Sequence, residues 1–248
     1  MYLSRIELDI RRRETLSALA YPVVMHGAIE DSFHDRDERK LWRIDTLGEK
    51  TYLLLLSQSE LNPDLLLRQF APLQSSNPRN DYYVSKDYDP LLNRIANGQH
   101  YRFRLCANPV YCTKRGVKGD LTPKMKNNKE RGNIKAHVTQ DQQCLWLINK
   151  AEQCGFEVDK GESFVHTDST GKETIYWTHP GFEIVHTIWK QFNKNTSDRS
   201  TEKQVKVRMA TFEGVLTVTN AEVFREKLIH GIGHAKAYGC GLMTVIRI

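Results

Sequence analysis

The order in which hydrophobic spacing changes along the first hundred residues limits the possible folds most. Ile6, Leu8 and Ile10 alternate as a half-buried strand requires. After Pro22, a residue suited to a first helical turn, Met25, Ala28, Ile29, Ser32 and Phe33 recur at helical spacing. Leu41 to Asp45 and Tyr52 to Leu56 read as two strands around the turn Gly48-Glu49; a weaker helix follows Asn62-Pro63, and a strand from Asp81 to Lys86 closes the set. Strand, helix, strand, strand, helix, strand is the split β-α-β-β-α-β unit, which predicts an α+β, ferredoxin-like domain.

Residues 88–99 contain Asp, Pro and Asn and suit a junction better than a core element. The boundary is expected near residue 98, dividing the chain into 1–98 and 99–248; 248 residues suffice for two such cores. The second half opens on a strand at His100 to Ala107. Thr139-Gln140-Asp141-Gln142 then offers a capping box for a helix to about Cys154, with Gly155 as its stop. Strands are expected at about Phe156 to His166 and at Glu173 to Thr178, followed by an insertion over 179–201. Lys203 to Phe212 and Gly214 to Thr219 read as a hairpin, and Asn220 caps a helix through His230. The second half thus fits the same plan with insertions, which makes the whole a tandem ferredoxin-like chain.

Charge is concentrated. Residues 1–100 hold 13 Lys+Arg against 15 Asp+Glu, residues 137–248 hold 13 of each, and residues 101–136 hold 10 against 2. A basic stretch that also carries Tyr101, Phe103 and Tyr111 is a footprint for a phosphate backbone, although a solvated lysine-rich loop has the same composition. The stretch is rich in Gly, Asn and Lys, and a mobile hairpin or loop whose order depends on RNA is expected. Five cysteines without a C-x-x-C pair signal neither a disulfide framework nor a zinc knuckle, and the histidines form no ligand pattern, so no metal or cofactor is expected. No run approaches a membrane span and the start lacks a signal-peptide core, so the expected compartment is the cytoplasm.

The densest motif is Gly231-Ile232-Gly233-His234-Ala235-Lys236-Ala237-Tyr238-Gly239-Cys240-Gly241. A dinucleotide fold needs its glycines between an early strand and the following helix, whereas here a helix precedes them. The run is expected to be a loop whose bare backbone permits close approach, with amides and Lys236 available to phosphates; a tight helix-to-strand turn is the plainer alternative.

With these residues in view the chain resembles the CRISPR repeat-processing ribonucleases of the CasE (Cse3) kind, from the type I-E system. The resemblance rests on Met1-Tyr2-Leu3-Ser4, Tyr101-Arg102-Phe103-Arg104-Leu105-Cys106-Ala107-Asn108-Pro109, Gly132-Asn133-Ile134-Lys135, Thr211-Phe212-Glu213-Gly214-Val215-Leu216 and the glycine run. These span nearly the whole chain in order. The resemblance implies tandem ferredoxin-like domains, metal-independent cleavage of a CRISPR repeat stem-loop RNA, and retention of the product within a Cascade complex of partner subunits.

Metal-free RNA cleavage needs a proton acceptor and donor near neutral pH, and histidine is the side chain whose ordinary pKa lies there. The resemblance places the catalytic histidine early in the first helix, where His26 stands; from the residues alone, His26 is a helix-surface residue between Met25 and Ala28. Some relatives carry a tyrosine three residues earlier, where this chain has Val23. Tyr21 could supply the hydroxyl if the chain there is not yet regular helix, and His34, two turns beyond His26, is a candidate second acid–base group. RNA binding is expected from Arg102 and Arg104, on one face of a strand, from Lys114, Arg115, Lys118, Lys124, Lys126 and Lys129, and from Gly231, Gly233, His234, Lys236, Gly239 and Gly241. Two rivals remain: a non-catalytic hairpin-binding subunit of the same fold, and a metal-dependent nuclease using Asp31, Asp35, Asp37 and Glu38.

Overall fold

The computed structural model of the protein describes residues 1–35, 37–113, 133–171, 173–178, 180–193 and 204–248. Its first half contains β1 (Tyr2–Leu8), α1 (Arg13–Ala20), α2 (Pro22–Glu30), β2 (Leu41–Leu47), β3 (Lys50–Ser57), α3 (Asp64–Phe70), α4 (Pro78–Tyr82) and β4 (Tyr83–Asp87). The four strands form an antiparallel sheet in the order β2-β3-β1-β4. Inward residues Ser4, Ile6 and Leu8 of β1 alternate as expected. Ile10 does not join them, because the strand ends at Leu8 and Asp9 N–H turns to donate to the Phe70 carbonyl at 2.8 Å. Met25, Ala28 and Ile29 seat α2 on Leu53, Leu55, Leu66 and Phe70.

Further expectations for this half need correction: the closing strand begins at Tyr83 and not at Asp81, which ends the short helix α4 with Tyr82. Helix α1, whose period is interrupted by polar residues, is an element the apolar spacing does not announce. Helix α2 stops at Glu30, so Ser32 and Phe33 are buried from a turn and not from a helix face; Ser32 Oγ donates back to the Ala28 carbonyl at 2.8 Å.

The segment expected to be a bare junction contains α5 (Asp89–Arg94), and Tyr88, Leu92 and Ile95 are buried in the core of the second half. Burial pushes the Tyr88 phenol up to about 12. Leu41 and Leu56 of the first sheet reach the same core, so the halves share apolar surface.

The second half continues with β5 (His100–Ala107), β6 (Val110–Thr113), β7 (Asn133–Ala136), α6 (Gln140–Gln153), β8 (Phe156–Val158), β9 (Glu162–Thr167), β10 (Glu173–Thr178), β11 (Phe182–Asn193), β12 (Gln204–Val218), α7 (Ala221–His230) and β13 (Met243–Arg247). Its main sheet runs β11-β12-β5-β13, with β8 also paired to β12. Strands β8 and β11 together occupy the second-strand position of a ferredoxin-like unit, and the separate β9–β10 hairpin is inserted between them. The protein is therefore a tandem ferredoxin-like fold. Both helix caps form as expected: Gln142 N–H donates to Thr139 Oγ1 at 3.3 Å, and Val223 N–H to Asn220 Oδ1 at 3.1 Å.

Three strand expectations change. Phe156 to His166 breaks into β8 and β9 at Gly161, which takes φ +64° while its N–H donates to Asp159 Oδ1. The insertion over 179–201 includes the twelve-residue strand β11. The expected hairpin at Glu213-Gly214 is one continuous strand, β12. Gly214 is there because Gly181 and Phe182 lie against it: a Cβ would stand 2.5 Å from the Gly181 carbonyl oxygen.

Candidate active site and RNA interface

One side chain that the sequence pattern does not mark ties the halves together. Arg43 of β2 donates through Nε and Nη2 to both oxygens of Asp45, at 2.8 and 2.7 Å. Across the boundary, its Nη1 donates to the Arg104 and Leu242 carbonyls at 2.8 and 2.9 Å, and Nη2 to Thr244 Oγ1 at 2.9 Å. A buried ion pair is tolerable only when its remaining donors and acceptors are satisfied in this way. The clamp fixes β5 and β13 against β2. It also explains why Arg104 faces inward to carboxylates, with its Nε 2.9 Å from Glu213 and 3.5 Å from Asp45. Arg102, two residues earlier on the same strand face, is exposed.

His26 sits in the second turn of α2, with its side chain 35% exposed and Nδ1 3.6 Å from Glu30 Oε1, one turn further along. Tyr21 links α1 to α2 in extended conformation, φ −118° and ψ 91°, so the condition set for its hydroxyl is met: it precedes the regular helix and is exposed. His34 is also exposed, but its expected alignment with His26 assumed a helix that ends four residues earlier. Val23 faces the second half: it packs, with Ala235 and Tyr238, on a small core of Cys106, Phe192, Val207 and Cys240. His26 follows one helical turn after Val23, so the glycine-rich loop lies beside the histidine's helix.

That loop is a tight structure. Gly231, Gly233, Gly239 and Gly241 all take φ between +76° and +94°. A Cβ on Gly231 would meet Leu41 at 2.7 Å, and one on Gly239 would meet the Trp42 ring at 2.9 Å, so both glycines let β2 approach the loop. Gly241 N–H donates to the Cys106 carbonyl and Ile232 N–H to the Gly241 carbonyl. The amides of Gly233, His234 and Ala235 donate to no described residue, and Ala235 has a left-handed backbone, φ +60° and ψ 33°. Successive free amides around a left-handed residue form an anion-binding concavity. Lys236 Nζ donates to the His230 carbonyl at 2.7 Å; burial, then the charges of Arg39 and Lys227, lower its pKa.

A cavity of ≈ 360 Å³ opens between the halves, walled by Pro22, Trp42, Asp45, His186, Lys190 and Gly239 among others. His26 does not line it. Lys190 crosses the cavity's edge to donate to the Leu19 carbonyl at 2.7 Å.

The antiparallel pair β6–β7 leads into and out of the basic stretch. Lys114, Arg115, Lys118, Lys124, Lys126 and Lys129 lie outside the described residues, as does Gly132 of the resemblance motif. At the base of the pair Tyr111 is exposed, with its ring centroid 4.8 Å from that of His137. Asp35 and Glu38, two of the carboxylates considered for a metal, accept backbone hydrogen bonds from Asp37 and Ser59. None of the described helices is long and apolar enough to cross a membrane.

Fold and site together define a class: tandem ferredoxin-like proteins in which a glycine loop of the second domain packs against a helix of the first. A family described as CRISPR associated protein matches residues 1–247, and the chain belongs to that family, in its CasE (Cse3) form. It is 25% identical over 249 residues, 99% of each chain, to the CRISPR-associated endoribonuclease Cse3 of Thermus thermophilus. Among solved structures it is similar to CRISPR endoribonuclease Cse3 bound to 19 nt RNA, with TM-score 0.71, 24% identity, and 99% and 100% of the two chains covered. A chain of a CRISPR RNA-guided surveillance complex matches with TM-score 0.60, 20% identity and full coverage of both, in its pre-nicking state.

Proposed function

We propose that this protein is a metal-independent endoribonuclease that cleaves CRISPR repeat stem-loop RNA and stays bound to the product as a subunit of a Cascade surveillance complex. Full-length likeness to a relative named as an endoribonuclease supports the activity. The observation that carries it is the packing of Val23, Ala235 and Tyr238 on one small core, which brings a partly exposed histidine helix beside three loop amides that donate to no described residue.

In this reading residues 1–98 supply the chemistry and residues 99–248 the grip. His26 takes the proton of a ribose 2′-hydroxyl; the O2′–P bond forms and the P–O5′ bond breaks, leaving a 2′,3′-cyclic phosphate. The departing 5′ oxygen receives a proton from the phenol of Tyr21, the N-cap of α2, whose side chain makes no hydrogen bond to the cap. Tyr21 is preferred to His34 because α2 ends before His34 can share a face with His26. The amides of 233–235, with Arg102 and the basic stretch, hold the phosphodiester and stem.

A second reading, a hairpin-binding subunit without activity, is favoured by one observation: Val23, where some relatives have tyrosine, is committed to packing. Incubation with repeat RNA in excess chelator separates the two. Cleavage with a cyclic-phosphate terminus is expected; binding without cleavage would establish the second reading, and cleavage restored only by magnesium would overturn both.

A further inference from the structure

Around His26 the structure places two charged side chains that the proposed chemistry leaves without a role. Lys40 is buried, its side chain 1% exposed, and all three ammonium protons are used: Nζ donates to Glu30 Oε2 at 2.9 Å, to the Asp35 carbonyl at 2.9 Å and to the Glu38 carbonyl at 3.3 Å. The Phe33 ring covers the same ammonium at 5.0 Å. A saturated, buried ammonium is a fixed point. It fixes one oxygen of Glu30 and thereby turns the other, Oε1, toward His26 Nδ1, 3.6 Å away.

We infer that Glu30 is a positioning residue for His26, itself held by Lys40, and that it keeps the imidazole proton on Nδ1. This rests on the reading of His26 as the catalytic base. The tautomer of a histidine is set by what its other nitrogen faces. A carboxylate can only accept, so the nitrogen facing Glu30 carries the proton. Nε2, across the ring, keeps its lone pair for a ribose hydroxyl. An unrestrained histidine on a helix surface would divide itself between tautomers and rotamers; the Lys40–Glu30–His26 chain selects one. The 3.6 Å separation closes to a hydrogen bond by a small side-chain adjustment, as catalytic contacts do when substrate docks.

Glu30→Gln gives the sharpest test, because Lys40 dictates which way the amide faces. The lysine needs an acceptor and takes the amide oxygen, leaving the NH2 toward Nδ1. That nitrogen must then accept, so the ring proton moves to Nε2 and the base is lost. Single-turnover cleavage of repeat RNA is expected to fall about tenfold or more in Glu30→Gln, with hairpin affinity unchanged, in line with the contribution of outer partners that orient a histidine. The 15N resonances of the His26 ring should report Nδ1–H in the unsubstituted protein and Nε2–H in the variant. Glu30→Ala strands a buried ammonium and can destabilise the fold, so the companion variant is Glu30→Ala with Lys40→Met, which removes both charges together. It should unfold near the native temperature and still cleave about tenfold slower. Native rates and an unchanged ring spectrum in Glu30→Gln would end the inference while leaving His26 in place. An active His26→Ala would overturn the underlying reading instead.

Discussion

Both domains follow one plan, and the contrast lies in what each inserts after its first strand. Between β1 and β2 the first domain has two short helices, the second carrying His26 and Glu30, and then a buried Lys40. Between β5 and β8 the second domain has the β6–β7 pair, the basic stretch and the long capped helix α6. One insertion is compact and anchored by Met25, Ala28 and Ile29 in a core; the other projects exposed Tyr111, Ile134 and Lys135 from a two-stranded ribbon. The same connection of the same fold is thus packed into a core on the His26 side and exposed on the β6–β7 side. Function is carried by what is grafted on the fold and not by the fold itself.

The strongest way to break that contrast is to injure the two insertions separately. His26→Ala should lower the single-turnover cleavage rate by about 10²–10⁴-fold, the range general acid–base transfer contributes, with hairpin affinity unchanged. Arg102→Ala with Lys135→Ala should do the reverse, weakening binding and flattening its salt dependence while cleavage at saturating RNA is retained. Filter binding over a salt series and a quench-flow time course give both quantities. If either set of substitutions moved both quantities equally, the division of labour would not hold.

The Arg43 clamp ranks next, because it ties the two halves that carry the insertions, β2 to β5 and β13. Arg43→Ala leaves the buried Asp45 with only Arg104 Nε, 3.5 Å away, and releases two carbonyls, a loss expected to cost up to about 3–5 kcal/mol. Urea unfolding should show it. Arg43→Met with Asp45→Leu, which takes away both charges, should be much milder. A single substitution as mild as the double would mean that the interface is carried by its apolar contacts, those of Leu41, Leu56, Val23 and Trp42 among them.

The first domain is legible in sequence because its signals are local: alternation in β1, helical spacing at Met25, Ala28 and Ile29, and a glycine turn at Gly48. The caps at Thr139 and Asn220 can be read for the same reason, each closing within three residues. What stays hidden depends on distant partners. Gly214 looks like a turn until Phe182 is known to lie on it, and nothing local announces that Leu41 and Trp42 occupy the space beside Gly231 and Gly239. Arg43 and Asp45 sit in an apolar strand as an unexplained pair; only the carbonyls of Arg104 and Leu242, 61 and 199 residues away, give them a reason. Lys40 follows Arg39 at the end of a charged run, and nothing local says that it, and not its neighbour, is the one buried against Glu30.

The smallest effect sharpens the comparison at the ribbon's base. Burial lowers the His137 pKa, so the folded chain disfavours the charged ring that the unfolded chain accepts. Below the ordinary histidine value the unfolded state therefore binds more protons, and stability falls as pH drops through about 6.5 toward the folded-state value. Above that window the contribution is fully present. Asp9, whose carboxyl the Arg11 side chain and amide hold below the usual carboxylate value of 3.8, loses its contribution only at more acid pH, so the two do not overlap. The urea midpoint of the native protein should drop slightly between pH about 7.5 and about 5.5, and His137→Gln should remove part of that drop. An identical pH dependence in the variant would mean that the ring beside Tyr111 is already open to water, and that the base of the ribbon is as exposed as its strands.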